Sequence, residues 1–391
     1  MRVHRIATDS QTVSPEQVNA LVRDDASRAF DLSDDLMLRV SWLATGADTG
    51  VLLFNMHHIA SDGWSMQVLS EEFVTLYNAL RAGRPSPLKE LAVQYADYSL
   101  WQRDYLRGEV MDSQLAYWQA QLADAPVVHS LPLARARGSQ VRGQGARLHS
   151  RVTGQVVSQL EALAGEHQLT PFMVLHGVLA QVVSRHSGTT DVVIGTPVAN
   201  RLQSELAPLL GCFVNTLVLR VDTARDDYLA HVRDVHLGAQ AHQDIPFEQL
   251  VEQLSVERST QHNPLVQIML SMNVADVAST GSAPALDGVT LVELAQDEVR
   301  VKFELQLDVH LESDQLHLSW TWDTGLFDAQ QIQTLDHHFT RLLESMVVGR
   351  DDMLSEQEMQ HLVHDLNRTE VAYPQDVCMH ELFEAQVRQQ P

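Results

Sequence analysis

Val51-Leu52-Leu53-Phe54-Asn55-Met56-His57-His58-Ile59-Ala60-Ser61-Asp62-Gly63-Trp64-Ser65 passes from an apolar run through a polar turn towards a helix. Its first six residues are short, apolar and partly β-branched, which predicts a buried core strand. Downstream, Met66, Leu69, Phe73, Leu76, Tyr77 and Leu80 recur at helical spacing, and Gly83 sits where a C′ glycine ends a helix. The turn between them lies at a strand-to-helix junction, where loops commonly carry function. If the strand continues through His57 and His58, the two side chains point to opposite faces, which makes them a poor metal pair. The spacing also lacks the H-E-x-x-H pattern of helical zinc sites, so no metal is expected. His58 with Asp62 suits proton handling, because imidazole titrates near neutral pH and a fixed neighbour sets its orientation. Gly63 allows close backbone approach, and a helix starting near Trp64 would offer amides to a developing oxyanion. A purely structural reading, a buried histidine pair closed by an Asp-Gly turn, stays open at this point.

Outward from this turn, Val18 to Phe30 reads as a helix and Leu36 to Leu43 as a strand, and Leu91 to Tyr105 and Ser113 to Ala123 read as helices. Between Ala125 and Gly145 the pattern breaks at Pro126, Pro132, Gly138, Gly143 and Gly145, which reads as a connector. A helix is predicted over Gln155 to His167, and Thr170-Pro171 opens another to about His186 as N-cap and N1. Asp191 to Gly195 and Asn215 to Val221 read as strands. From Val301 to Leu311 apolar and polar residues alternate. After Ser313-Asp314 the alternation resumes at Leu316, Leu318, Trp320 and Trp322, which predicts a hairpin with one buried face. Each half therefore combines α and β elements.

The 391 residues suffice for two globular units with sizeable cores. Asp and Glu number 51 against 27 Lys and Arg, and the net charge of −24 argues against nucleic acid or an anionic membrane surface as partner. Two widely separated cysteines, Cys212 and Cys378, make no disulfide framework and fit a reducing compartment. No apolar run approaches a spanning helix and the first residues carry no signal-peptide pattern, so a cytoplasmic location is expected.

Five motifs then occur in order: Met56 to Ser65; Tyr95-Ala96-Asp97-Tyr98-Ser99-Leu100-Trp101; Gly211-Cys212-Phe213-Val214-Asn215-Thr216; His242-Gln243-Asp244-Ile245-Pro246-Phe247-Glu248; and Asn263-Pro264-Leu265 following Arg258. Together they resemble the condensation domains of non-ribosomal peptide synthetases, whose signature is H-H-x-x-x-D-G. There are departures. In the last motif Ser259, Gln261 and His262 stand where Asp, Ser and a second Arg are usual, and Leu210 replaces the usual Ile or Val. Two motifs expected upstream of residue 1 are missing, so the resemblance implies a first lobe lacking its opening strand and helices. Asn367-Arg368-Thr369, Tyr373-Pro374 and His380-Glu381-Leu382-Phe383-Glu384 look like the linker and opening helix of an adenylation domain.

The resemblance implies an α/β fold of two chloramphenicol-acetyltransferase-like lobes in a V, the first incomplete. Residues 1–128 would form the first lobe, 129–349 the second, and 350–391 a linker into adenylation. It implies amide formation between a thioester donor and an acceptor amine. Each is delivered by a carrier protein on its own phosphopantetheine arm, with no cofactor held by this chain. His58 matches the catalytic histidine, either a general base or a group that positions the amine. His57 matches a buried structural histidine, and Asp62 an aspartate paired with an arginine, for which Arg201 is the candidate. Gly63 is expected at the substrate tunnel and Asn263 near the active site, while Trp101, Phe213 and Phe247 are packing residues. Ser61 and Trp64-Ser65-Met66 look like the subtype that takes an L-configured donor. The alternatives are an epimerisation domain, a coenzyme A-dependent acyltransferase, and a catalytically silent interaction platform.

Overall fold

The computed structural model describes residues 15–138, 143–256, 258–274, 285–292, 299–312, 314–370 and 376–390. The first half contains α1 (Pro15–Ser27), β1 (Leu38–Ala44), β2 (Gly50–Met56), α2 (Gly63–Arg81), α3 (Tyr95–Tyr105) and α4 (Glu109–Gln121). α2 starts at the N-cap Asp62 and ends as Gly83 predicts. Gly83 takes φ +64°, its N–H donates to Leu80 O, and Arg84 N–H donates to Ala79 O, a Schellman closure. α3 starts later than the apolar pattern suggested because Gln94 and Asp97 form a capping box there.

Among the described residues, β1 and β2 make a two-stranded antiparallel sheet, from Leu38 opposite Met56 to Ala44 opposite Gly50. β2 is half-buried along its whole length, not the buried core strand that its composition predicts. Composition alone cannot say how many layers cover a short apolar run, and a two-stranded ribbon covers little.

The second half continues with β3 (Gln144–Thr153), α5 (Gln155–Glu166), α6 (Pro171–Ser187), β4 (Asp191–Val198), β5 (Asn215–Asp222), α7 (Tyr228–Ala241) and α8 (Phe247–Gln253). Then come β6 (Ile268–Val274), β7 (Val299–Arg300), β8 (Leu305–Leu311), β9 (Gln315–Asp323) and α9 (Ala329–Met346). The strands form one mixed sheet in the order β5-β4-β6-β8-β9-β3-β7. β6 runs parallel to β4 and β8, and the other neighbours are antiparallel. β8 and β9 form the hairpin that the alternation predicts, although Ser313 lies outside the described residues. The strand begins at Leu305 rather than Val301. Glu304 turns its carboxylate inward to His129 (2.8 Å) and Arg137 (2.9 Å), and its amide donates to Gln267 O, which breaks the pleat. These contacts also pin the connector to the sheet. Thr170 caps α6 at the Met173 amide with Pro171 at N1, and α6 lies almost wholly in the core.

α10 (Glu356–Gln360) follows with its Ser355 cap, then α11 (Met379–Gln389), none of whose residues is buried. Tyr373-Pro374 lies outside the described residues.

Candidate active site

The signature turn sits where β2 gives way to α2. The expected alternation of His57 and His58 along a strand does not occur, because the strand stops at Met56. His57 turns its Nδ1 to accept the Ile59 amide (3.0 Å), and Ala60 N–H donates to His57 O, so residues 58–60 wind into a single 3₁₀ turn. His57 is half-buried rather than buried, with its ring edge-on to Phe30 at 5.7 Å. His58 is exposed, and its Nδ1 stands 3.8 Å from the Cys212 Sγ. A cavity of about 410 Å³ opens beside it, walled by Val22 and Asp25 of α1, Leu53 and Asn55 of β2, and Gly63 and Met66 of α2.

Asp62 also borders this cavity, but its side chain is buried. It is 4% exposed and its carboxylate is fully engaged. Oδ1 accepts the Ser65 amide at 2.7 Å and Arg201 Nη2 at 3.0 Å, and Oδ2 accepts the Phe213 amide at 2.9 Å. The Arg201 guanidinium also donates to the carbonyls of Leu206 (2.6 Å) and Leu209 (2.8 Å), and it lies 4.0 Å from the Phe213 ring centroid. Burial pushes the Asp62 carboxyl up, but the Ser65 and Phe213 amides and the Arg201 charge together hold it below the ordinary carboxylate value. The Ser65 amide of this helix start is therefore spent on Asp62 and is not open to an oxyanion.

Ser65 has 0% exposure, and its hydroxyl donates to Gly211 O (2.8 Å) while accepting the Gly211 amide (3.0 Å) and Arg201 Nη2 (2.8 Å). The first and third motifs are thus tied backbone to side chain. The second motif closes over them. Tyr95 donates its hydroxyl to Cys212 O at 2.9 Å and packs edge-on to Phe213, so close that a Cβ on Gly211 would lie 2.1 Å from its ring. In the fourth motif the Ile245 and Gln243 carbonyls accept Asn215 Nδ2, and the Phe247 amide donates to Asn215 Oδ1.

Ser61 is buried and donates to His57 O (3.3 Å), while Trp64 is exposed and donates its indole N–H to Ala207 O at 2.9 Å. Gly63 is exposed, and a methyl there would meet nothing within 4 Å. Asn263 makes its hydrogen bonds to other segments of the second half. Its Nδ2 donates to Lys302 O (2.6 Å) and its carbonyl accepts Gln267 Nε2, beside a smaller cavity of about 80 Å³ that includes Arg135 and His262. The Asn-Pro turn serves β6 and the connector through Gln267, which also bonds the Val127 carbonyl. Trp101 is 45% exposed and stacks on Tyr105 at 5.0 Å, a surface rather than a core packing role. Phe213 is buried and Phe247 half-buried.

Two residues that the turn depends on, Ser65 and Cys212, are given no part in holding it by the sequence reading. Ser65 had a readable signal, the Asp62-x-x-Ser65 pattern of a cap and its third residue. Cys212 had none, since it meets His58 across 154 positions of chain.

The family model described as the condensation domain matches residues 1–363. Malpibaldin synthetase of Mortierella alpina is 38% identical over 94% of this chain, which spans only 7% of that relative's length. The X-domain of teicoplanin biosynthesis, solved in complex with OxyB, superposes with a TM-score of 0.81 at 25% identity, over 91% of this chain and 80% of that one. A four-domain nonribosomal peptide synthetase bound to AMP and glycine superposes at 0.75 and 25% identity, over 92% of this chain and 28% of that one.

Proposed function

We propose, from the premise that this chain belongs to the condensation-domain family, that it joins a carrier-bound acyl thioester to a carrier-bound amine as an amide. Its donor and acceptor arrive from an upstream and a downstream carrier protein, each on a phosphopantetheine arm that the partner supplies, with no metal or cofactor of its own. The observation that carries this reading is the division of labour within one turn, with His58 exposed beside the 410 Å³ cavity and Asp62 buried under Arg201. An amine neutral at its nitrogen needs chiefly to be held against the thioester carbon, and holding two reactants together is worth a large share of the barrier. As the C–N bond forms and the C–S bond breaks, one proton passes from nitrogen to the departing pantetheine sulfur. His58 serves this step either as a general base or by positioning the reactants. Gly63, with open space at its α-carbon, borders the substrate.

We also read residues 1–128 and 129–349 as the two lobes and 350–391 as a linker leading into adenylation, in the cytoplasm, with an L-configured donor. The resemblance of Ser61 and Trp64-Ser65-Met66 supports the donor subtype. Among the described residues no helix is long and apolar enough to cross a membrane.

The test is His58→Ala in this chain, with aminoacyl groups loaded on two carrier proteins. Amide formation falls about 10²–10⁴-fold, the usual effect of removing a general base or a positioning group, and the melting temperature is unchanged because His58 is exposed. Parental turnover in the variant overturns the assignment. The likeness to the X-domain favours a second reading, an interaction platform without chemistry, and that reading predicts no amide from the parental chain either. Inverted α-carbon configuration in a single carrier-bound substrate would instead identify epimerisation.

A further inference from the structure

His58 has one described side-chain partner, and it is a thiol. Cys212 Sγ lies 3.8 Å from His58 Nδ1, within reach of a sulfur hydrogen bond. The thiol is placed by its backbone on both sides. The Cys212 carbonyl accepts the Tyr95 hydroxyl, the preceding Gly211 is bonded twice to the Ser65 hydroxyl, and the following Phe213 amide donates to Asp62. Asp62 and Ser65 of the buried network thus bond directly to the residues flanking this sulfur, which gives that network a consequence at the exposed histidine.

We propose that Cys212 is a positioning residue for His58, its S–H donating to Nδ1 so that Nε2 is the ring atom turned to the substrates. The inference rests on the condensation reading and adds the group that orients its histidine. The charged and titratable groups around the thiol are Asp62, Glu248 and Lys302, with Tyr95 on the facing helix. Burial raises the thiol's pKa first, the two carboxylates raise it further and Lys302 opposes them, so the sulfur keeps its proton and is a donor. An imidazole nitrogen is a strong acceptor, and a neutral ring that accepts at Nδ1 carries its own proton on Nε2. His58 then offers an N–H to the thioester carbonyl as the tetrahedral oxyanion develops. The nitrogen-to-sulfur proton transfer balances without a permanent acceptor on the protein.

The experiment uses Cys212→Ala and the volume-preserving Cys212→Val, with Cys212→Ser as the conservative variant, all in the full chain. Cys212→Ala and Cys212→Val lower kcat about tenfold, one hydrogen bond's worth. They leave KM unchanged, because the thiol touches the histidine and not the substrates. Cys212→Ser restores most of the rate. A readout independent of turnover is the ring ¹⁵N spectrum of the histidines, with His58 assigned through His58→Ala: its Nδ1 resonance moves in Cys212→Ala. An unmoved Nδ1 resonance overturns the proposal, and so does an unchanged kcat in an active chain. If the parental chain makes no amide, the condensation reading fails while the spectrum still decides the contact.

Discussion

β8 and β2 are both seven-residue strands, and they are held by different forces. In β8 burial alternates strictly, with Leu305, Leu307 and Val309 at most 1% exposed. In β2 no residue is buried, and the groups buried just beyond its end are polar: Ser61, Asp62 and Ser65. The second-half sheet gains about 1.5–3 kcal/mol for each large apolar side chain it removes from water, and no single side chain carries it. The signature turn depends on a charge pair and a hydroxyl whose partners lie 139 and 146 residues away. Apolar packing degrades gradually, whereas a buried polar network fails when one partner is lost. A site that must hold one exposed histidine in register is therefore fastened by the more brittle device.

The sharpest way to break this comparison is Asp62→Ala. Leaving Arg201 buried and unpaired costs about 3–5 kcal/mol. Hydrogen exchange should show amides of residues 50–66 and 206–215 losing protection while those of β8 and β9 keep theirs. Equal loss in β8 would mean that the two regions share one source of stability. Ser65→Ala is milder, at about 1–3 kcal/mol, because it strands the Gly211 amide and carbonyl without leaving a charge. Urea unfolding followed by circular dichroism measures it, and no change in midpoint would remove Ser65 from the tie.

Acid separates the regions next. In the second half His236 Nε2 and His176 Nδ1 meet at 3.1 Å in the core between α6 and α7. Burial pulls His236 down to about 4 from 6.5, and burial with the neighbouring ring lowers His176 as well. The unfolded chain takes up protons that these folded rings refuse, so stability is full above 6.5 and falls as pH drops from there towards 4. His236 alone accounts for roughly 1 kcal/mol by pH 5.5. Asp62 has the opposite charge type and a different window: its contribution is complete above 3.8 and is lost only as pH falls through its lower folded value. Unfolding free energies at pH 7.5, 5.5 and 4.5 should fall already between the first two, and a flat profile to 4.5 would contradict it. Smallest is Gly63→Ala, which changes stability by about 0.5 kcal/mol. A change in amide formation from that variant reads contact with substrate, since the methyl touches nothing in the chain.

How much of this was legible in the sequence follows the same division. Elements built from local pattern were readable: the β8–β9 alternation, the Thr170-Pro171 start of α6 and the Gly83 end of α2 depend on neighbours a few residues away. The Asp62–Arg201 pair was named only through the resemblance, because no spacing rule connects positions 139 apart. His57 and His58 misled a period-2 reading, since the His57 imidazole captures a nearby amide and ends the strand. For Asn263 the motif identifies a residue, whereas its hydrogen bonds to Lys302 and Gln267 show what it holds in the fold.

The central claim is that two residues four apart in one turn do unlike work, His58 at the reacting atoms and Asp62 in the frame. Melting temperature and amide formation measured side by side for His58→Ala and Asp62→Ala test it most directly. The account predicts that His58→Ala melts with the parental chain yet loses about 10²–10⁴-fold in rate, and that Asp62→Ala loses rate and melting temperature together. An Asp62→Ala chain that melts at the parental temperature but is inactive would move Asp62 into the chemistry and contradict it.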